Sequence, residues 1–207
     1  RSCLVGSEMC IRDRTNFGSS NGIGYFAGNG VSFPFTEGVV LTTGDASRAG
    51  GPETGTLSDG SYAWPGDLDL ANAIPGLDYS SSYNATYVQF DFVPKADMIE
   101  FNFIFASEEY GTFQCSYTDA FAFLLTNNQT GQTTNLAVVP GTADPISVLS
   151  VRNNNYNTAC APVKEESCAA YYAPGGLSTA DSPIDFRGHT VSTVSYTHLT
   201  LPTSPKV

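Results

Sequence analysis

Two adjacent carboxylates, Glu108 and Glu109, stand where the run Phe101-Asn102-Phe103-Ile104-Phe105-Ala106-Ser107 meets the pair Tyr110-Gly111. Paired carboxylates do acid–base work on glycosidic bonds. Neighbours on a strand point to opposite faces, however, so both could serve one site only where the strand has already turned. Calcium suits these residue types better, because it takes about six to eight oxygen ligands from carboxylates, carbonyls and water. The candidate ligands are Glu108, Glu109 and Asp119, Asp67 and Asp69 in the segment Gly66-Asp67-Leu68-Asp69, and Asp45 after Gly44. The competing roles are structural: helix capping by Asp67 and a hydrogen-bonded turn at Glu108.

Other chemistries find little support. Ser107 has no histidine near it in sequence, and His189 sits in Arg187-Gly188-His189-Thr190, expected as an exposed turn. No Gly-Lys-Ser/Thr follows any glycine, so a phosphate loop is not indicated. The cysteine spacing fits no zinc finger. Nucleic-acid binding needs clustered Lys and Arg, whereas the chain has 9 basic and 20 acidic residues. No apolar run approaches the ~20 residues of a membrane-spanning helix.

The elements that must position these groups read as short strands. Tyr87 to Val93 alternates, with Val88, Phe90 and Phe92 on one face; Pro94 to Asp97 turns the chain; Met98 to Phe105 returns with Phe101, Phe103 and Phe105 on one face. That pattern predicts a hairpin with one core-facing side. Further strands are expected over Gly38–Thr43, Ala120–Leu125, Leu136–Val139, Ile146–Val151 and Ile184–Val191. One short helix should open at Asp67 and stop at Pro75-Gly76. The fold class expected is all-β: an antiparallel β-sandwich, jelly-roll-like, with long loops and that one helix.

The two ends carry a different signal. One permitted coding of Met9-Cys10-Ile11-Arg12-Asp13, ATGTGTATAAGAGAC, has the reverse complement GTCTCTTATACACAT. That reads Val-Ser-Tyr-Thr-His, the sequence of Val194 to His198. Folding gives no reason for an inverted DNA repeat translated in opposite senses at the two ends. The segments resemble sequencing-adapter translation, so residues 1–14 and 194–207 are expected to be adapter-derived and residues 15–193 to be a native domain truncated at both ends. Setting the ends aside removes 4 basic and 2 acidic residues, leaving 5 and 18 and a net charge of −13. It also leaves Cys115, Cys160 and Cys168. Cys115–Cys160 and Cys160–Cys168 are competing pairs in an oxidising compartment, and three reduced thiols are the third possibility.

Phe103-Ile104-Phe105-Ala106-Ser107-Glu108-Glu109-Tyr110-Gly111, followed by Asp119-Ala120-Phe121-Ala122-Phe123, resembles the choice-of-anchor L domain family of bacterial secreted and surface proteins. Gly38 to Gly44, Gly66-Asp67-Leu68-Asp69-Leu70, Asn135 to Thr142 and Pro145 to Val148 resemble other landmarks of that family in order. The resemblance implies a secreted or cell-surface β-domain without enzymatic activity. Its Bacteroidota-like branch, whose anchors include type IX secretion sorting signals, implies a Cys115–Cys160 bridge. The function expected is a non-enzymatic surface module for adhesion or surface architecture, stabilised by calcium, with surface polysaccharide or another cell-surface protein as partner. The alternative is a carbohydrate-binding module presenting Tyr62, Trp64, Tyr110 and Tyr117. A glycoside hydrolase using Glu108 and Glu109 is third.

Overall fold

The computed structural model describes residues 14–16, 21–28, 33–94, 96–111, 113–114, 116–153, 166–174 and 184–199. The chain is all-β, with eleven short strands and one short α-helix among the described residues. In chain order these are β1 (Arg14–Asn16), β2 (Ile23–Ala27), β3 (Glu37–Leu41), α1 (Leu68–Ala73), β4 (Tyr87–Gln89), β5 (Met98–Phe103) and β6 (Ala106–Ser107). There follow β7 (Leu124–Thr126), β8 (Thr133–Asn135), β9 (Tyr172–Pro174), β10 (Gly188–Thr190) and β11 (Thr193–His198). Every ladder is antiparallel. The strands gather into small sheets: β2–β3, β7–β8, β1–β4, β5–β11 and the three-stranded β6–β10–β9.

The helix forms where the sequence places it. The Asp67 carboxylate accepts from the Leu70 amide at 2.8 Å, filling one of the open donors of the first turn. Pro75 then removes a donor, and Gly76 takes a left-handed φ of +84° that only glycine adopts without strain.

The hairpin expected from Tyr87 to Phe105 does not form. β4 pairs with β1 and β5 pairs with β11, so the chain between them joins different sheets. Phe101, Phe103 and Phe105 do face the core, whereas Val88 and Phe90 lie exposed. Ile146–Val151 is likewise not a strand. The hydroxyls of Ser147 and Ser150 satisfy nearby backbone groups, with Ser150 Oγ donating to the Pro145 carbonyl at 2.7 Å, and Val151 N bonds back to the Ser147 carbonyl. Serine offers the backbone a local alternative to the ladder, and here the chain takes it. Ala120 touches Ser147, and Val138 touches Pro145, through isolated bridges.

The core joins Phe103, Phe105, Tyr110, Ala137, Val139, Ile146, Val148 and Val151, with Phe121, Phe123, Tyr171 and Tyr172 packed against it. Its aromatic rings interlock. Phe101 stacks on Phe123 at 4.8 Å between centroids, and Phe103 meets Phe121 at 5.3 Å and Phe123 at 5.5 Å. Such offset and edge contacts add to the area they bury.

Candidate functional site

β6 carries the chain into the turn at Glu108, and β10 holds β6 in place through Gly188 opposite Ser107 and His189 opposite Ala106. Tyr110 is the anchor of the turn. It is 1% exposed, and its hydroxyl donates to the Val151 carbonyl at 2.9 Å. Gly188 makes room for it: a Cβ there would lie 2.7 Å from Cγ and Cδ2 of Tyr110.

The two glutamates go to different surroundings. Glu108, 8% exposed, accepts from the Leu57 amide at 3.2 Å through Oε1 and lies 3.5 Å from Arg187 Nε through Oε2. Arg187 also donates to Thr56 Oγ1 at 2.7 Å. Asp185 completes the arrangement by accepting from the Thr54 amide at 2.9 Å and the Thr54 hydroxyl at 2.7 Å. Three side chains thus clasp the segment Thr54–Leu57 against the Glu108 turn. Two of them, Asp185 and Arg187, lie far along the chain from the loop they hold.

Glu109 lies near Asp119 instead, the two linked through Ser107. Ser107 Oγ donates to Asp119 at 2.6 Å and accepts from the Glu109 amide at 3.0 Å, so one serine ties the turn to the acidic side chain. Glu109 Oε2 is buried and has no hydrogen-bond partner. Burial, and then the charges of Asp119 and Glu108, push the Glu109 carboxyl up to about 7. Burial also lifts Glu108 to about 7, against the opposing pull of the Leu57 amide and the Arg187 guanidinium. Asp119 is raised chiefly by desolvation.

The other predicted ligands serve their own turns. Asp45 accepts from the Ser47 amide at 2.9 Å and the Ser47 hydroxyl at 2.7 Å, closing a 3-10 turn over Ala46–Arg48. Asp67 caps α1, and Asp69 is exposed on its first turn. Among the described residues no three His, Cys, Asp or Glu side chains converge on a position that would hold a metal.

His189 lies half-buried in β10, not in an exposed turn, and its Nδ1 is 2.8 Å from the Thr190 carbonyl. In the β6–β10 register Ser107 shares a face with Gly188, so the Ser107 and His189 side chains point to opposite sides and form no nucleophile–base pair. Tyr110 is buried, which removes it from the aromatics expected at the surface. Tyr62 is 87% exposed and meets Tyr83 edge to face at 5.0 Å, while Trp64 is half-buried. Cys115 and Cys160 lie outside the described residues; Cys168 is a free, exposed thiol, so the Cys160–Cys168 pair does not form. A depression of about 380 Å³ lies between the end of α1 and the 138–145 segment, lined by residues such as Ala73, Pro75, Val138, Thr142 and Pro145. None of its lining side chains is ionisable, and neither glutamate reaches it.

Sequence reasoning missed Asp185, Arg187 and the clasped loop. One available signal was the scarcity of basic residues, which makes any arginine near an acidic motif a candidate partner.

A family model for the Choice-of-anchor L domain matches residues 1–203, almost the whole chain. The chain belongs to the Choice-of-anchor L domain family. The match takes in both segments related by the inverted repeat in full. No curated protein and no solved structure matches the chain. Membership of the choice-of-anchor L family implies a surface-associated module, secreted or held at the cell surface. No helix among the described residues is long and apolar enough to cross a membrane.

Proposed function

We propose that this choice-of-anchor L domain is a non-enzymatic module of the cell surface, serving adhesion or surface architecture. The observation that carries this reading is the use made of Glu108 and Glu109. One fastens a loop through Arg187 and Leu57, and the other is buried, its Oε2 without a hydrogen-bond partner, near enough to Asp119 to feel its charge. A glycosidase needs two carboxyls facing each other across an open cleft that admits a sugar. Here the acidic groups work inside the fold, and the depression beside the end of α1 has no acid or base in its lining. Surface polysaccharide or another cell-surface protein is the proposed partner class.

Carbohydrate binding is a second reading, favoured by the exposed Tyr62–Tyr83 pair. Asn84 lies beside it and accepts from the Ser61 amide at 2.9 Å. Aromatic rings with a polar neighbour are the usual elements of a sugar platform. Asp45 and Asp67 each hold a turn or cap, and among the described residues no third His, Cys, Asp or Glu joins Glu109 and Asp119, so calcium is the weaker part of the reading.

The test is to label intact cells of the source with an antibody to this domain and compare them with permeabilised cells. Equal labelling of both supports a surface module. Labelling only after permeabilisation overturns it. Binding of the purified protein to polysaccharides, lost in Tyr62→Ala, would decide for the second reading.

A further inference from the structure

The longest ladder among the described residues joins β5 to β11 through six residue pairs, from Thr193 opposite Phe103 to His198 opposite Met98. Its two strands are mismatched across their faces. On β5 the residues turned inward are Ile99, Phe101 and Phe103, which feed the aromatic core. Their partners on β11 are Thr197, Ser195 and Thr193, so three hydroxyls stand opposite an apolar row. Thr193 is 3% exposed and Ser195 9%, while the branched apolar Val194 is turned outward and 46% exposed. A strand with one buried face normally carries its apolar residues on that face, and a slip of one residue would exchange the two sets.

Local bonds keep the hydroxyls in place without repairing the mismatch. Thr193 Oγ1 donates to the Val191 carbonyl at 3.0 Å, and Ser195 Oγ donates to the Leu136 carbonyl. The backbone ladder therefore seats β11, and its side chains do not complete the layer. Met98, at the start of β5 on its outward face, is exposed as well. The coding relation bears on the same residues. Val194 to His198 is the reverse-complement reading of Met9 to Asp13, an origin unrelated to packing.

We propose that β11 is a stand-in and that the edge of β5 is the seat of a different strand of the natural chain. That strand carries apolar side chains at the two positions facing Ile99 and Phe101, and it is encoded in the natural gene after Thr193. The family match runs through this position to residue 203, so the position belongs to the domain. The proposal stands apart from the surface reading, since a cytosolic protein could have the same seat.

The natural gene is sequenced across codon 193 from source DNA. The expected result is a segment with Val, Ile, Leu or Phe at alternate positions; recovery of Val-Ser-Tyr-Thr-His overturns the proposal. The full chain gives an independent measurement. Ser195→Val with Thr197→Val should raise the thermal midpoint by about 2–4 °C, the shift a domain of this size shows for a modest gain in buried apolar surface. Val194→Thr should leave the midpoint unchanged. An unchanged or lowered midpoint in the double variant means that the hydroxyls are the proper fit, and overturns the proposal. If that variant fails to fold, the gene sequence alone decides.

Discussion

Around the turn at Glu108, side chains from distant segments close on one another. Tyr110 lies under Gly188 and bonds to Val151, Ile146 and Val148 fill the space beside it, and Arg187 and Asp185 fasten the Thr54–Leu57 loop from outside. Along β4 and β5 the ladders are as regular, yet Val88, Phe90 and Met98 are exposed and the residues facing Phe101 and Phe103 are hydroxylic. Both regions make backbone hydrogen bonds. What separates them is side-chain complementarity, which distinguishes a packed layer from a merely paired one. Pairing needs only extended backbone; packing needs the right residues at every second position.

The comparison breaks most directly by truncation. Ile146→Ala, at a fully buried position, should cost about 2–5 kcal/mol in urea unfolding. Val194→Ala on the outer face of β11 should stay within about 0.5 kcal/mol. Equal costs would mean that the two regions are equally packed. Gly188→Ala should cost about 1–3 kcal/mol, because the new methyl meets Cβ and Cγ of Tyr110, near the stem of a ring with no room to retreat. Tyr110→Phe should lose about 1–3 kcal/mol by leaving the Val151 carbonyl without its buried donor. Its circular dichroism should stay that of the parent.

The pH dependence sharpens the same contrast. The folded-state carboxyl of Glu109, at about 7, lies above its ordinary value, so the folded protein binds this proton more tightly than the unfolded chain. Its contribution to stability is fully present below the usual glutamate range and is lost as pH rises through about 7. Glu109→Gln should therefore raise the unfolding midpoint at pH 8 and change it little at pH 4. A variant equally stable or less stable at pH 8 would show that the ionised carboxylate is accommodated. The smallest effect is expected from calcium: replacing EDTA with calcium should leave the thermal midpoint unmoved, and a clear rise would restore a cation to the Glu109–Asp119 pair.

Some of this was legible in the residues. The alternation of Phe101, Phe103 and Phe105 turned them toward the core, and Asp67 with Pro75-Gly76 bracketed α1 as expected. The strand expected over Ile146–Val151 was not, because apolar spacing alone gives no weight to two serine hydroxyls that rewire the backbone locally. In the candidate site, Glu108 and Glu109 stood out by type, but the clasp that uses Glu108 did not. Its partners at Thr54 and Asp185 are 131 residues apart, and no local pattern spans that separation.

Sequence by itself determined the family, the all-β class, the helix cap and which phenylalanines turn inward, because motif order, period and turn chemistry are local properties. Only the tertiary structure decided that β4 and β5 pair with different partners and that Ser107 and His189 face apart across adjacent strands. It alone turned the two neighbouring glutamates to different work. Those outcomes depend on which distant segments meet, and the free energy of such meetings is set by packing and desolvation around the whole contact rather than by any one stretch of chain.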